Sequence, residues 1–195
     1  MSFPRSGGVL CHPTSFPGRF GIGDLGKGAY DFVDWLADAG QQLWQVLPLG
    51  PTGYGDSPYQ CFSAFAGNPL LISPEGLAWN GLLPHDALND VPPFPAHAVD
   101  YGWVIDYKQR LLRQSFAYFK EHGSADQHQG FAWFRAQNAD WLDDFALFMA
   151  LKGYFGGGSW HDWPREVRLR EPAALADHRE KVAAEAEYQA YLQFV

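Results

Sequence analysis

Residues 8–48 constrain the fold more than any other stretch of this 195-residue chain. Gly8-Val-Leu-Cys11 is a short apolar run followed by turn residues, the pattern of a buried strand. Over residues 24–39 the period changes. Phe32, Trp35, Leu36 and Ala39 recur at i, i+3, i+4 and i+7, Asp31, Asp34 and Asp38 fall on the other side, and Gly40 follows as a stop. A second β-leaning run, Gln42-Leu-Trp-Gln-Val-Leu-Pro48, closes on proline. Strand, helix and strand so close together predict a βαβ unit, with its strands parallel and its helix on one face of a sheet. The fold class is α/β.

Composition removes several function classes. Lys and Arg number 14 against 22 Asp and Glu, a formal net charge of −8 with no basic cluster. Such a chain offers no footprint to nucleic acid or to an anionic membrane surface. No apolar stretch reaches the length of a membrane span, and Met1-Ser-Phe-Pro-Arg5 lacks the apolar core of a signal peptide. Cys11 and Cys61 stand fifty residues apart without the spacing of a disulfide framework or zinc site. They read as core or near-core thiols of a reduced, cytoplasmic protein, with no metal site.

After Pro48 the chain is punctuated by Gly50, Pro51, Gly53, Gly55, Pro58, Gly67, Pro69 and Pro74, which predicts a long irregular loop. Residues 84–102 read as a second loop. Beyond it the pattern is helical. Ile105, Leu112, Phe116 and Phe119 mark one helix breaking near Gly123, and Phe131 and Phe134 mark a weaker one. A third covers about residues 141–155, with Trp141, Phe145, Phe148 and Met149 on one stripe and Gly156-Gly-Gly158 ending it. The last runs from Pro172 to Val195 without interruption.

Four features invite a function. Gly21-Ile-Gly23-Asp-Leu-Gly26 spells a dinucleotide fingerprint, but no strand ends at its first glycine and no acidic ribose anchor follows at the required distance. It reads as a false match. His12 follows a strand end, where catalytic side chains of α/β proteins gather, yet a histidine bonding the adjacent Pro-Thr-Ser turn is the simpler reading. Asp140, Asp143 and Asp144 lie near a helix start, where carboxylates complement the helix dipole. The fourth is the loop 50–69 itself, which presents Tyr54, Asp56, Ser57, Tyr59, Gln60 and Asn68. Aromatic faces beside hydroxyl and carboxylate groups suit a sugar. Tyrosines that merely pack onto the scaffold would give the same pattern, and the residues alone leave both readings open.

Pro48-Leu-Gly-Pro-Thr-Gly-Tyr-Gly-Asp-Ser-Pro-Tyr-Gln60, continued by Ser63-Ala-Phe-Ala-Gly-Asn-Pro69, resembles the amylomaltase (4-α-glucanotransferase) family, relatives of the α-amylases. His12-Pro-Thr-Ser-Phe-Pro-Gly18, Trp44-Gln-Val-Leu-Pro-Leu-Gly50, Val99-Asp-Tyr-Gly102 and Phe145-Ala-Leu-Phe-Met-Ala-Leu-Lys152 are similar to further blocks of that family, in its order. The resemblance implies the N-terminal part of a (β/α)8 TIM barrel with a large helical insertion. It places the start of the barrel in residues 1–80 and the helical insertion in residues 81–195. It further implies transfer of α-1,4-glucan segments between maltodextrins by a retaining double displacement, without cofactor or metal. The three catalytic carboxylates are then expected beyond residue 195. By the same resemblance Tyr59 lines the cleft with Ser57 beside it and Asp56 as a weaker candidate, while Tyr54 and Tyr101 form a secondary glucan site. The alternative is a stand-alone, non-catalytic glucan-binding module.

Overall fold

A computed structural model describes residues 4–195, with only the backbone described at Tyr54. The chain divides into two compact units, one ending at Gly123 and the other covering Ser124–Val195.

The first unit opens on the expected βαβ unit. Strand β1 (Gly8–Leu10) pairs in parallel with β2 (Leu43–Gln45), Val9 opposite Trp44, and helix α1 (Lys27–Asp38) connects them. Both strands are shorter than the apolar runs suggested. α1 ends where Gly40 adopts a left-handed conformation (φ +67°) and Gln41 N–H donates to the carbonyl of Leu36. The face it buries differs from the one the spacing marks: Ala29 and Leu36 are buried, Phe32 is half-buried, stacks on Trp35 and meets Trp44 edge-on, and Trp35 is exposed. Leu10 and Leu43 on the two strands are also exposed, at 57% and 47%.

The loop after β2 contains more structure than its prolines and glycines suggest. Single 3-10 turns form at Tyr54–Asp56 and Pro69–Leu71, and a short helix α2 spans Pro74–Trp79. Pro74 starts that helix instead of forbidding it. It occupies the first helical position, where the missing N–H costs nothing, and the Ser73 hydroxyl accepts from Gly76 N–H. Helix α3 (Tyr101–His122) begins two residues earlier than expected, because the Asp100 carboxylate caps Trp103 N–H at 3.0 Å. Tyr101 is therefore helical.

One side chain organises this unit. Lys108, 1% exposed, donates from Nζ to the carbonyls of Leu70 (2.7 Å) and Ile72 (2.9 Å) and lies 3.6 Å from the Asp24 carboxylate. Seven residues on, the buried Ser115 hydroxyl donates to Leu82 O at 2.7 Å. α3 thus presents polar groups at heptad spacing on its buried face, and each takes a carbonyl from the loops lying against it.

In the second unit α4 (Ala125–Gln137) starts with a capping box, Ser124 and Gln127 bonding each other's backbone. α5 (Leu142–Tyr154) is buried nearly all round, through Leu142, Phe145, Ala146, Leu147, Ala150 and Leu151, so the single stripe foreseen for it is too narrow. Asp143 and Asp144 do sit in its first turn, paired with Arg135 (3.0 Å) and Arg170 (2.7 Å). A short α6 (Arg165–Arg168) follows. The single helix expected from Pro172 to Val195 is two, α7 (Pro172–Lys181) and α8 (Ala183–Phe194), and α8 packs on α4 and α5. The break is at Val182 (φ −109°, ψ 13°), which leaves the helical path and buries its side chain with Leu147, Leu151, Trp163 and Leu175. No described helix is long and apolar enough to cross a membrane.

Burial pushes the Lys108 ammonium down to about 8 from 10.5, against the pull of Asp24. Between those values the unfolded chain binds a proton that the folded chain does not, so stability rises with pH across that window. Lys108→Met removes that proton and leaves two buried carbonyls unmet, a loss of roughly 3 kcal/mol at neutral pH. The deficit of the variant, followed by urea unfolding, is expected to widen from pH 8 to 10.5. A deficit that stays flat over that range contradicts the buried charge.

Candidate functional site

The loop 48–69 is tied at its base and tip by its own backbone. Thr52 bridges Cys61 antiparallel, Gly53 N–H donates to Gln60 O at 2.8 Å, and Phe62 N–H donates to Pro51 O at 3.3 Å. The far end is held by buried Asn68, whose N–H donates to Leu49 O and whose Oδ1 accepts from Leu70 N–H at 3.0 Å. Gly53 lies against the Gln60 carbonyl, where an added Cβ would come to 3.0 Å. At the tip the chain reverses through Gly55 (φ +69°) and Asp56 (φ +53°), both left-handed. Glycine enters that region without strain and aspartate is among the residues that tolerate it.

This geometry brings three of the sequence candidates together. Asp56 and Ser57 are half-buried in the turn, the Ser57 hydroxyl accepts from Tyr59 N–H at 3.3 Å, and Tyr59 stands 71% exposed. The Tyr54 side chain lies outside the described residues. Tyr101 belongs to a different element, the first turn of α3, and its ring is half-buried against Ile22, Leu70 and Val104. Phe62 and Phe65, which the sequence did not single out, are exposed on the same loop as Tyr59. Cys61 is exposed, not a near-core thiol, because its backbone closes the hairpin while its side chain faces solvent. Among the described residues no group of three or more His, Cys, Asp or Glu is placed to hold a metal ion.

The glycine-rich motif is accounted for by packing. Gly21 (φ +79°) fits beneath Phe94 and Val104, Gly23 against Pro13 and Phe16, and Gly26 against Ser73 and Asp24. Asp24 accepts from the N–H of Gly26, the residue before α1, at 2.9 Å, so a carboxylate lies beside the start of α1, where it would repel a phosphate. Burial raises that carboxyl above its ordinary value, while Lys108 and the Gly26 N–H pull it back. In the neighbouring cleft of about 270 Å3, Arg19 pairs with Glu75 and Lys27 with Asp31. His12 behaves as the turn histidine: its Nδ1 contacts Thr14 Oγ1 at 2.7 Å and caps the Pro13–Ser15 turn.

The sequence reading missed Lys108, although the signal was present. Lys108 lies four residues from both Val104 and Leu112, on the apolar stripe where a lysine must be buried with partners.

Comparison with known proteins fits this picture. A family model described as 4-alpha-glucanotransferase (glycoside hydrolase family 77) matches residues 11–195. The chain belongs to that family. It is 50% identical over 191 residues to a 4-alpha-glucanotransferase of Synechocystis, covering 98% of this chain and 38% of that protein. It is also 50% identical over 195 residues to one of Thermus thermophilus, covering 100% of this chain and again 38% of the relative. An amylomaltase from Streptococcus agalactiae, solved in complex with acarbose, superposes with a TM-score of 0.90 at 36% identity, over 98% of this chain and 38% of that one. The chain therefore spans about 38% of the length of these relatives. The resemblance carried by the loop 48–69 is borne out.

The packing account of the glycines can be tested directly. An added Cβ at Gly23 meets the carbonyl of Pro13 and the backbone of Phe16, so Gly23→Ala is expected to lose about 3 kcal/mol or more. NAD at millimolar concentration should leave the melting temperature of the unaltered protein unchanged. Dinucleotide protection would restore the fingerprint reading.

Proposed function

We propose that this chain supplies the glucan-binding part of a 4-α-glucanotransferase, which moves α-1,4-glucan segments between maltodextrins. The observation that carries the reading is the turn 56–59. It is locked by backbone bonds and holds an exposed tyrosine ring beside a carboxylate and a hydroxyl, in a chain half identical to named 4-alpha-glucanotransferases. Tyr59 covers the apolar C–H face of a sugar, and Ser57 and Asp56 meet its hydroxyls. Tyr101, with Tyr54, forms a secondary glucan contact.

The reaction is a retaining double displacement. A carboxylate nucleophile forms a glycosyl-enzyme, and the 4-hydroxyl of a second glucan displaces it, with a second carboxylate as acid and then base. These carboxylates lie outside the 195 residues, consistent with the 38% share of the relatives. The βαβ unit is the start of a (β/α)8 barrel in residues 1–80, and residues 81–195 form its helical insertion. Exposed Leu10 and Leu43 support this, because a barrel strand has neighbours on both edges and a filled interior. Two unpaired cysteines fit a reduced, cytoplasmic setting.

Full-length protein given maltotriose is expected to produce glucose and longer maltodextrins without added nucleotide, metal or phosphate. Hydrolysis alone, with no product longer than the input, would refute the transferase reading. Tyr59→Ala should lower turnover on maltotriose by roughly tenfold or more, as a lost contact at the reacting sugars would. Tyr101→Phe keeps the ring that packs on Ile22, so any weakening of amylose binding in that variant reports its hydroxyl alone.

A further inference from the structure

The loop 48–69 is closed on itself. Gly53 N–H to Gln60 O and Phe62 N–H to Pro51 O join its two arms, and Asn68 N–H donates to Leu49 O at 2.8 Å across its base. A loop tied in this way turns with its base, so the direction in which Tyr59 faces follows from how that base is seated. On the entry side the chain continues from β2, which is paired with β1. On the exit side three successive carbonyls are gripped. Leu70 O and Ile72 O accept from Lys108 Nζ at 2.7 and 2.9 Å, and Leu71 O between them accepts from Leu25 N–H at 2.9 Å.

Both donors lie outside the loop, and the two grips are coupled. Lys108 Nζ stands 3.6 Å from the carboxylate of Asp24, the residue before Leu25. Removing the ammonium therefore frees two of the three carbonyls and unpairs the turn that holds the third. Lys108 is 1% exposed, so it touches no ligand, and any effect it has on binding passes through the loop. Ser115 supplies a contrast on the same helix. Its hydroxyl makes an equally buried bond to a carbonyl, at 2.7 Å, but that carbonyl belongs to Leu82, past the end of α2.

We propose that Lys108 is a positioning residue for glucan binding, seating the loop exit so that the turn 56–59 meets the sugar at one fixed angle. The inference rests on the reading of that turn as a glucan contact. A loop displaced by about an ångström misplaces the Tyr59 ring and the Ser57 and Asp56 oxygens together, so the loss falls on affinity and not on stability alone.

The test titrates the full-length protein calorimetrically with thio-linked maltotetraose, a glucan analogue that resists transfer, and follows the class of site that Tyr59→Ala weakens. Calorimetry separates affinity from the fraction of molecules able to bind. A variant that is only less stable keeps the wild-type Kd with fewer competent molecules, whereas a displaced loop keeps the number and weakens the Kd. Lys108→Met should weaken the Kd by about fivefold or more. Ser115→Ala, which also loses a buried bond of α3, should leave it unchanged. In the Tyr59→Ala background Lys108→Met should add less than about twofold, because the main contact it positions is already gone. Lys108→Gln, whose amide keeps two donors without the charge, should weaken the Kd to a smaller degree and serves if Lys108→Met does not fold. A wild-type Kd in the folded Lys108 variants, an equal weakening in Ser115→Ala, or full additivity with Tyr59→Ala would each overturn the proposal. Tyr59→Ala that binds weakly beside Lys108 variants that bind normally refutes the positioning role alone. Tyr59→Ala that binds as wild type does refutes the glucan contact at the turn, and the positioning role with it.

Discussion

Lys108 Nζ lies out of reach of water and meets the carbonyls of Leu70 and Ile72 and the carboxylate of Asp24, so three segments distant in sequence must converge on one point. A buried ammonium is tolerated only where its protons are matched, and these acceptors come from the end of the 48–69 loop region and from the turn before α1. Leu25 N–H donates to Leu71 O at 2.9 Å and ties the same two segments directly. The energetic consequence is asymmetric. The ion pair itself adds little, because burying the charge costs about what the attraction returns, whereas removing the lysine strands its acceptors. Lys108 thus fixes geometry more than it adds stability, and that geometry sets where the 48–69 loop re-enters the scaffold.

The same convergence explains the glycines of residues 21–26. Close approach of the turn to Phe94, Pro13, Phe16 and Ser73 leaves no room for a Cβ. A glycine pattern that elsewhere admits a pyrophosphate here admits the protein's own backbone and side chains. Spacing alone cannot distinguish the two, because both require a missing Cβ. The helix N-terminus distinguishes them, since the Asp24 carboxylate lies beside it on the Gly26 N–H and would repel a phosphate.

The βαβ unit was legible because its signal is local: two apolar runs, one 3.6-residue period and a glycine stop. The parallel pairing of Val9 with Trp44 follows from the connection length. What was not legible depends on tertiary packing. Residues 173–195 contain no glycine or proline, yet the helix breaks at Val182, whose side chain is buried with Leu147, Leu151, Trp163 and Leu175. Pro74 looked like a breaker and is a helix start, a difference made by the Ser73 cap beside it. At the candidate site, the residues alone left open whether Tyr59, beside Ser57 and Asp56, packs on the scaffold or faces solvent, since an exposed and a buried tyrosine are written alike.

The way Tyr59 is presented bears on what the loop can do. Among the described residues no side-chain hydrogen bond or ring contact holds its ring; the backbone around it is held instead, through the Thr52–Cys61 bridge, the Gly53–Gln60 bond and the Ser57 hydroxyl beneath its N–H. Binding pays mainly for ordering groups that were free before, so a turn already fixed leaves only the two side-chain torsions of the tyrosine to settle. The exposure of a large aromatic that could have been buried has a cost in folding, and a rigid loop is where that cost is recovered on contact with a ligand. A tyrosine on a flexible loop would instead lose much of the contact energy to ordering the chain. On the proposed reading, a backbone tied by its own bonds with the ring exposed is the combination that suits a platform for sugar units, because each arriving ring would meet the same face.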